Sequence, residues 1–446
     1  MQLSAPVLAE LAGKYKLLKT PLESGPPAQR DPNVIETVAE MLKTIETGGM
    51  DAVLAYAGKL DHPTGGVVEL SEAAIKAGGE SLSPELRQAL DTGADRTTRF
   101  ARVTRSHLID FETELIPGLI TGQRYVPVQR VGAYLPAGRF PLLASAFMTV
   151  NVAKVAGVDT VLACTPPQAD GRADPAVLYS AAISGADRIY LLGGVQALAA
   201  MAFGLLGEPP VDMLVGAGNA FVAEAKRQLF GTVSIDLLAG PSEVAVIADD
   251  SADAAIVAAD LLGQAEHGPT SPAALVTTSE QLGMDVIAEI SRQLETLSTK
   301  DIAGPAWRNH GSVIWAQDTE TAATLMDDLA PEHLELQTVD DDHYMDRLRN
   351  YGSVFIGPWS TVAYSDKGMA GTNHTLPTAG GAKHSAGLSV SRFLRPLTFQ
   401  RVLRSATPQL AEPVDVISSY EGMAAHRATA TMRLAVHAEQ DATVSR

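Results

Sequence analysis

The feature that most constrains this chain is a run in which strand and helix patterns alternate from about residue 125 onward. Short apolar segments at 126–128 and 131–135 read as strands that end at Pro136-Ala137-Gly138, and a helix pattern follows over 142–156. Strand patterns at 160–164, 188–192 and 213–215 then alternate with helix patterns at 175–184, 196–203 and 220–229. The pattern resumes with strands at 244–247 and 274–277, helices at 252–267 and 280–297, and later strands at 312–315, 334–338 and 353–356. A helix between two strands carries the chain back to its starting side, so the strands run parallel with right-handed crossovers. The predicted fold is therefore α/β, with two Rossmann-like lobes built on parallel sheets.

The flanking segments read differently. Apolar residues recur three and four apart in Val34, Val38, Met41, Leu42 and Ile45, which predicts helix over 33–58, and 72–118 reads as mostly helical too. Residues 1–30 suggest a short helix and a Pro/Gly-rich linker, and 391–446 read as helical. The expected division is an N-terminal helix and linker (1–30), one α/β lobe (31–130 with 244–388), a second α/β lobe (131–243) and a small helical region (389–446).

Composition narrows the partners. The 446 residues carry a formal net charge of −18, which repels phosphate backbones and anionic lipids, so neither nucleic acid nor membrane is an expected partner. No run of some 18 apolar residues occurs, and the first residues lack a basic stretch followed by an apolar one. The single cysteine, Cys164, lies in the apolar run 161–164 and is expected to be a buried structural thiol; its solitude excludes an intramolecular disulfide. These features suit a cytoplasmic enzyme.

Four segments hold side chains capable of chemistry. Gln264 and His267 end a predicted helix just before Gly268-Pro269, three apart and on one face. An imidazole is a good zinc ligand and an amide oxygen a weaker one, although a lone His there equally suits a helix C-terminus. Glu332-His333 follows Pro331, which predicts a turn or the first turn of a helix, and an adjacent carboxylate and imidazole can do acid/base work near neutral pH. Residues 365–378 form a polar, Gly-containing loop with Asp366, Asn373 and His374, and Glu421 and His426 lie in the C-terminal helical region. Gly193-Gly194 and Gly216-Ala-Gly218 each follow a strand and open a helix, where backbone can approach a pyrophosphate; close packing at the turn explains them equally well.

Together these segments resemble the histidinol dehydrogenase family from about residue 30 to 435. The resemblance is carried by Gly193-Gly-Val-Gln-Ala-Leu-Ala-Ala200, Gly216-Ala-Gly-Asn-Ala-Phe-Val-Ala-Glu-Ala-Lys-Arg-Gln228, Ala239-Gly-Pro-Ser-Glu-Val244, Gln264-Ala-Glu-His-Gly-Pro269, Pro331-Glu-His-Leu334 and Gly371-Thr-Asn-His-Thr-Leu-Pro-Thr378. It implies one zinc held by Gln264, His267 and Asp366 of one subunit and His426 of the other, in a homodimer whose Glu421 and His426 complete the opposite site. It implies Glu332 and His333 as the catalytic acid/base pair, Tyr134, Gln196 and Asn219 as NAD contacts, and Ser242, His374 and Glu421 as substrate contacts. The implied reaction oxidises a primary alcohol to a carboxylate through an aldehyde, with two hydride transfers to NAD.

Two departures bear on the substrate. Four residues separate Asp366 from Gly371 where the resemblance leads one to expect three. Arg139 stands in Pro136-Ala-Gly-Arg-Phe-Pro141, where a small residue is usual for histidinol oxidation. Guanidinium grips a sulfonate or carboxylate and repels cationic histidinol, so this stretch, with 380–390, is more similar to the branch that oxidises sulfopropanediol. A surface ion pair or a dinucleotide phosphate contact also accounts for Arg139, and Lys383 and His384 read as loop residues. The readings in competition are oxidation of a small anionic diol such as 2,3-dihydroxypropane-1-sulfonate, oxidation of L-histidinol, and a non-catalytic NAD- or metabolite-binding homologue.

Overall fold

The structure is a computed structural model that describes residues 1, 3–22, 31–62, 64, 68–137 and 140–444, those from 437 on as backbone only. Arg139 lies outside the described residues. The chain forms two compact units, one of Met1–Arg105 with Val128–Phe393 and one of Ser106–Pro127 with Leu394–Arg446. In chain order the strands are β1 (Tyr15–Lys19), β2 (Phe111–Ile116), β3 (Leu119–Pro127), β4 (Arg130–Tyr134), β5 (Thr160–Thr165), β6 (Arg188–Leu191) and β7 (Met213–Val215), then β8 (Ser234–Ile235), β9 (Val244–Ala248), β10 (Ala273–Thr277), β11 (Ser312–Ala316), β12 (His333–Gln337), β13 (Ser353–Ile356) and β14 (Leu394–Val402).

The first unit is built on two sheets of the expected parallel kind. One has the order β6-β5-β4-β7-β8 and is parallel throughout. The other has the order β1-β11-β10-β9-β12-β13 and is parallel except for β1, which joins β11 antiparallel. Leaving β1 aside, both sheets start in the middle, grow outward on one side and then reverse to the other. That order puts a switch point between β4 and β7 in one sheet and between β9 and β12 in the other, where such folds commonly bind ligands.

Parallel strands are covered on both faces, which is why they read as continuous apolar runs. In β9, Val244, Val246 and Ala248 enter one core cluster while Ala245 and Ile247 enter another, the two-residue alternation of a strand buried on both sides. The five-stranded sheet is covered by the helices Gly194–Ala202 and Ala220–Leu229 and by the long helix Pro32–Leu60. Val38, Met41, Leu42 and Ile45 of that last helix are buried, as their spacing predicts. Cys164 is fully buried in β5. Among the described residues no helix is long and apolar enough to cross a membrane.

Three elements correct the sequence reading. Ahead of the expected linker, in the stretch read as a short helix, lies β1, a strand whose edge position comes from pairing with a segment some 300 residues away; residues 23–30 of that linker lie outside the described residues. The tail of the expected helical stretch 72–118 is β2, which pairs with β3; the helix Pro84–Ser106 stops before it. The expected all-helical C-terminus opens with β14, which pairs with β3 from Leu394↔Pro127 to Val402↔Leu119 before the helices Thr407–Tyr420 and Ala424–Val444. Strands β2 and β14 expose most of their residues, so they lack the apolar alternation that marks a half-buried strand. A further difference lies at 142–156, where the helix contains a π turn over Phe147–Asn151.

Candidate functional site

The candidate site lies in the first unit, at the amino ends of β9 and β12. Pro331-Glu332 forms a bend rather than a helix turn, and His333 is the first residue of β12, paired with Val244 on one side and Ser353 on the other. Glu332 and His333 are both buried. The Glu332 carboxylate accepts hydrogen bonds from the Ser242 hydroxyl at 2.6 Å and the Glu243 backbone N–H at 2.9 Å, and its Oε2 lies 3.5 Å from His333 Nδ1. Ser242, expected as a substrate contact, here bridges Glu332 to the Gln264 amide, which donates to its hydroxyl.

The His333 ring is oriented from behind. Its Nδ1 lies 3.0 Å from the Glu243 carbonyl, which can only accept, so the proton sits on Nδ1 in the neutral ring. Nε2 is buried without a hydrogen-bond partner among the described residues and lies 4.0 Å from Asp366 Oδ1. Burial works against a charge on this imidazole, but Glu332 and, further off, Asp366 outweigh it and hold its pKa up at about 9. Burial, reinforced by Glu332, likewise pushes the Glu243 carboxyl up to about 7.

Asp366 is the hub of the arrangement. Its carboxylate lies 3.6 Å from His267 Nε2 and 3.9 Å from His374 Nδ1, as well as close to His333. It ends the five-residue helix Val362–Asp366, whose first N–H donates to the buried Glu335 at 3.1 Å, while Thr361 just before it donates to Asp260 at 3.0 Å. Burial pushes the carboxyls of both Glu335 and Asp260 above their ordinary values; Asp260 raises Glu335 further, while the hydrogen bond from Glu335 favours the ionised form of Asp260. Beyond Asp366 the chain turns through Gly368 (φ +76°) against Gly93 of the helix Pro84–Ser106, where a Cβ on Gly93 would come within 2.9 Å of the Lys367 carbonyl. His374 is fixed through its neighbour: Asn373 donates its amide to the Met148 carbonyl, in the π turn, at 2.9 Å. Burial pushes the His374 imidazole below its ordinary pKa.

Of the expected zinc ligands, His267 and Asp366 are spaced as a shared cation would require. Two ligands each about 2.1 Å from one tetrahedral ion stand about 3.4 Å apart, and the 3.6 Å between His267 and Asp366 is close to that and too long for a good hydrogen bond. Gln264 lies in the last turn of the helix Ala254–Ala265, and in the turn that follows the His267 N–H donates to the Gln264 carbonyl. Among the described residues no three His, Cys, Asp or Glu side chains make a cage of their own. The expected set takes only two of those types from one chain.

These groups face a cavity of about 330 Å³. Ser242, His267, Glu332, His333, Asp366, Lys367 and His374 supply its polar lining, and Leu86, Leu90, Leu142, Leu143, Phe147, Met369 and Leu376 much of the rest. Ala217, from the turn after β7, also lines it. That turn is held on both sides: the Gly216 N–H donates to Asp236 and its carbonyl accepts from the buried Lys226, which is ion-paired with Asp236.

The other expected contacts fall into two groups. Tyr134 ends β4 and its hydroxyl accepts from the Gly194 N–H at 3.2 Å, while the Gln196 amide and the Gly193 N–H both donate to Asp61. Burial, helped by Asp61, pushes the Tyr134 hydroxyl up to about 12. Asn219 caps the helix Ala220–Leu229 through its side-chain oxygen. Glu421 and His426 belong to the second unit, at the end of one helix and the start of the next, and both are exposed. Sequence reasoning missed Asp61, Glu243, Asp260, Glu335 and Lys367. Of these, Glu243 lies inside the Ala239–Val244 motif and Lys367 inside the polar segment 365–378; the others carried no signal.

Two doubly wound sheets with a buried carboxylate–imidazole pair at a cavity define an α/β enzyme. Known proteins refine the class: the family model for histidinol dehydrogenase matches residues 26–434, and the chain belongs to the histidinol dehydrogenase family. A sulfopropanediol 3-dehydrogenase from Ruegeria pomeroyi is 45% identical over 90% of this chain and 93% of its own length. A histidinol dehydrogenase homolog from Shouchella clausii is also 45% identical, over 90% of this chain and 94% of its own. A histidinol dehydrogenase from Methanosarcina mazei is 40% identical over 88% of this chain and 90% of its own. The crystal structure of histidinol dehydrogenase from Elizabethkingia anophelis superposes with a TM-score of 0.88 at 32% identity, over 92% of this chain and 94% of that one.

Proposed function

We propose that this chain oxidises a small primary alcohol to the carboxylate in two hydride transfers to NAD, with zinc as its metal, and that the substrate is a small anionic diol such as 2,3-dihydroxypropane-1-sulfonate. The observation that carries the chemistry is the buried Glu332–His333 pair beside Asp366 and His267 in one cavity. The anionic diol draws support from the 45% identity to a sulfopropanediol 3-dehydrogenase, against 40% to a histidinol dehydrogenase, and from Arg139 in the sequence.

Gln264, His267 and Asp366, with His426 of a second copy, would hold the zinc, and Tyr134, Gln196 and Asn219 would meet the dinucleotide. When bound, zinc polarises the alcohol oxygen and NAD accepts the hydride. His333, with its proton on Nδ1, presents Nε2 to take the hydroxyl proton. A cation held at Asp366 would offset one of the charges that raise the His333 pKa. Glu332 then takes a proton from the water that adds to the bound aldehyde. Ser242 and the Glu243 N–H hold its carboxylate for that role, and Ser242, His374 and Glu421 would contact substrate. We assign catalysis and metal to the lobe of 31–130 with 244–388, the dinucleotide to 131–243, and assembly of a cytoplasmic homodimer to 389–446.

The test is NADH yield per alcohol consumed, with the zinc-loaded protein and the two enantiomers of the diol. Two NADH per alcohol are expected, falling to one, with aldehyde trapped, in Glu332→Gln. Zinc-loaded protein that is silent on both the sulfonated diol and L-histidinol overturns the reading in favour of a binding homologue. Preference for L-histidinol overturns the substrate alone.

A further inference from the structure

We infer that Lys367 is the anchor for the anionic end of the substrate, so that this site selects alcohols carrying one negative group on a short body. The inference rests on the reading of the cavity as an alcohol site. Lys367 is the only lysine or arginine among the described residues that line this cavity. Arg96, which reaches a neighbouring residue of the lining, is committed: it donates to the Met369 carbonyl. Lys367 is exposed, and among the described residues its ammonium has neither a hydrogen-bond nor an ion-pair partner.

The surroundings make that single charge count. Leu86, Leu90, Leu142, Phe147 and Leu376 give the cavity walls little polarity, and apolar walls concentrate the field of a charge and weaken its screening. A volume of about 330 Å³ is at the small end for ligand pockets, so the anion of a bound substrate is only a few bonds from its reacting carbon. Lys367 follows Asp366 directly and its backbone is held, with the carbonyl packed on Gly93 and the N–H bonded to the Ala363 carbonyl. The ammonium is thereby tethered one residue from the carboxylate expected to face the alcohol. An ammonium at this place meets sulfonate, carboxylate or phosphate as a point charge, and it disfavours a substrate with a second cation.

The experiment compares zinc-loaded wild type, Lys367→Met and Lys367→Arg with two alcohols of one shape: 2,3-dihydroxypropane-1-sulfonate and its neutral methyl sulfone, 3-(methylsulfonyl)propane-1,2-diol. The ratio of kcat/KM for the anion over the neutral alcohol is expected to fall at least tenfold in Lys367→Met, through KM, and to recover most of the way in Lys367→Arg. Calorimetry with the product-like anion 3-sulfolactate reads the same anchor without turnover, and its affinity is expected to fall at least tenfold in Lys367→Met. Oxidation of both alcohols with a ratio unchanged by Lys367→Met overturns the anchor and leaves the proposed reaction standing. Lysine-dependent binding of 3-sulfolactate without oxidation of any alcohol keeps the anchor and overturns the reaction. Wild type that neither binds the anion nor oxidises the diol overturns both.

Discussion

The buried carboxyl pair behind Asp366 makes a prediction that can be worked through in numbers. Glu335 is 1% exposed on β12, and it shares a proton with Asp260 while accepting from the Val362 N–H. Its folded pKa lies well above the ordinary 4.5, so above pH 4.5 the native chain holds a proton that the unfolded chain has released. Stability from this site is fully present below 4.5 and is lost as pH rises toward the folded value. One extra bound proton is worth about 1.4 kcal/mol per pH unit, so two units of that window remove roughly 2–3 kcal/mol. Glu335→Gln has no proton to lose. The amide can donate to Asp260 and still accept from Val362, preserving the local bonds. The melting temperature of the variant relative to wild type should therefore climb across the range that opens above pH 4.5. A difference that stays flat across that range refutes the shared proton, whatever its sign. Glu335→Leu provides the contrast: it leaves the Val362 N–H and Asp260 without their partner, and should melt lower at every pH by the equivalent of about 3–5 kcal/mol.

Two further outcomes follow from the geometry. The rate of alcohol oxidation should rise with pH along a limb set by His333, which works as a base only when neutral; Mg²⁺ or Zn²⁺ titration should move that limb to lower pH, and a limb that ignores metal loading contradicts the role given to Asp366. Gly216→Ala should melt markedly lower, because Gly216 has φ +114° and its Cβ would stand 2.2 Å from the Tyr134 carbonyl oxygen; backbone strain alone is worth about 1–3 kcal/mol, and an unchanged melting temperature removes the case for a fixed turn at Ala217.

How much of this could be read from the residue order depends on where each signal lies. The strands β5, β6, β7, β9 and β10 announce themselves because both faces are buried, and the helix Ala220–Leu229 because Asn219 caps it. Strands β2 and β14 do not, because their pairing with β3 rather than their own composition makes them strands. The site divides the same way. Gln264, His267, Glu332, His333, Asp366 and His374 sit in distinctive local motifs, and the structure brings them to one cavity or its wall. Asp61, Asp260 and Glu335 leave no such mark. A buried carboxylate has no period, and only the approach of Gly193, Thr361 and Val362 from distant parts of the chain gives each its role.

The placement of Glu332 and His333 at the beginning of β12, and of Ser242 and Glu243 just before or at the start of β9, has a wider consequence. In doubly wound folds the entering edge of the sheet is ordinarily scaffold, and chemistry gathers at the edge where strands leave. Here Tyr134 and Gly216, at the departing edge of the sheet of β4 to β8, suit the dinucleotide proposed there, while the candidate site of the other sheet lies at its entering edge. Changes along the entering edge of this second sheet, which in most relatives of the architecture would register as lost solubility, should instead leave a well-folded protein that has forgotten its reaction.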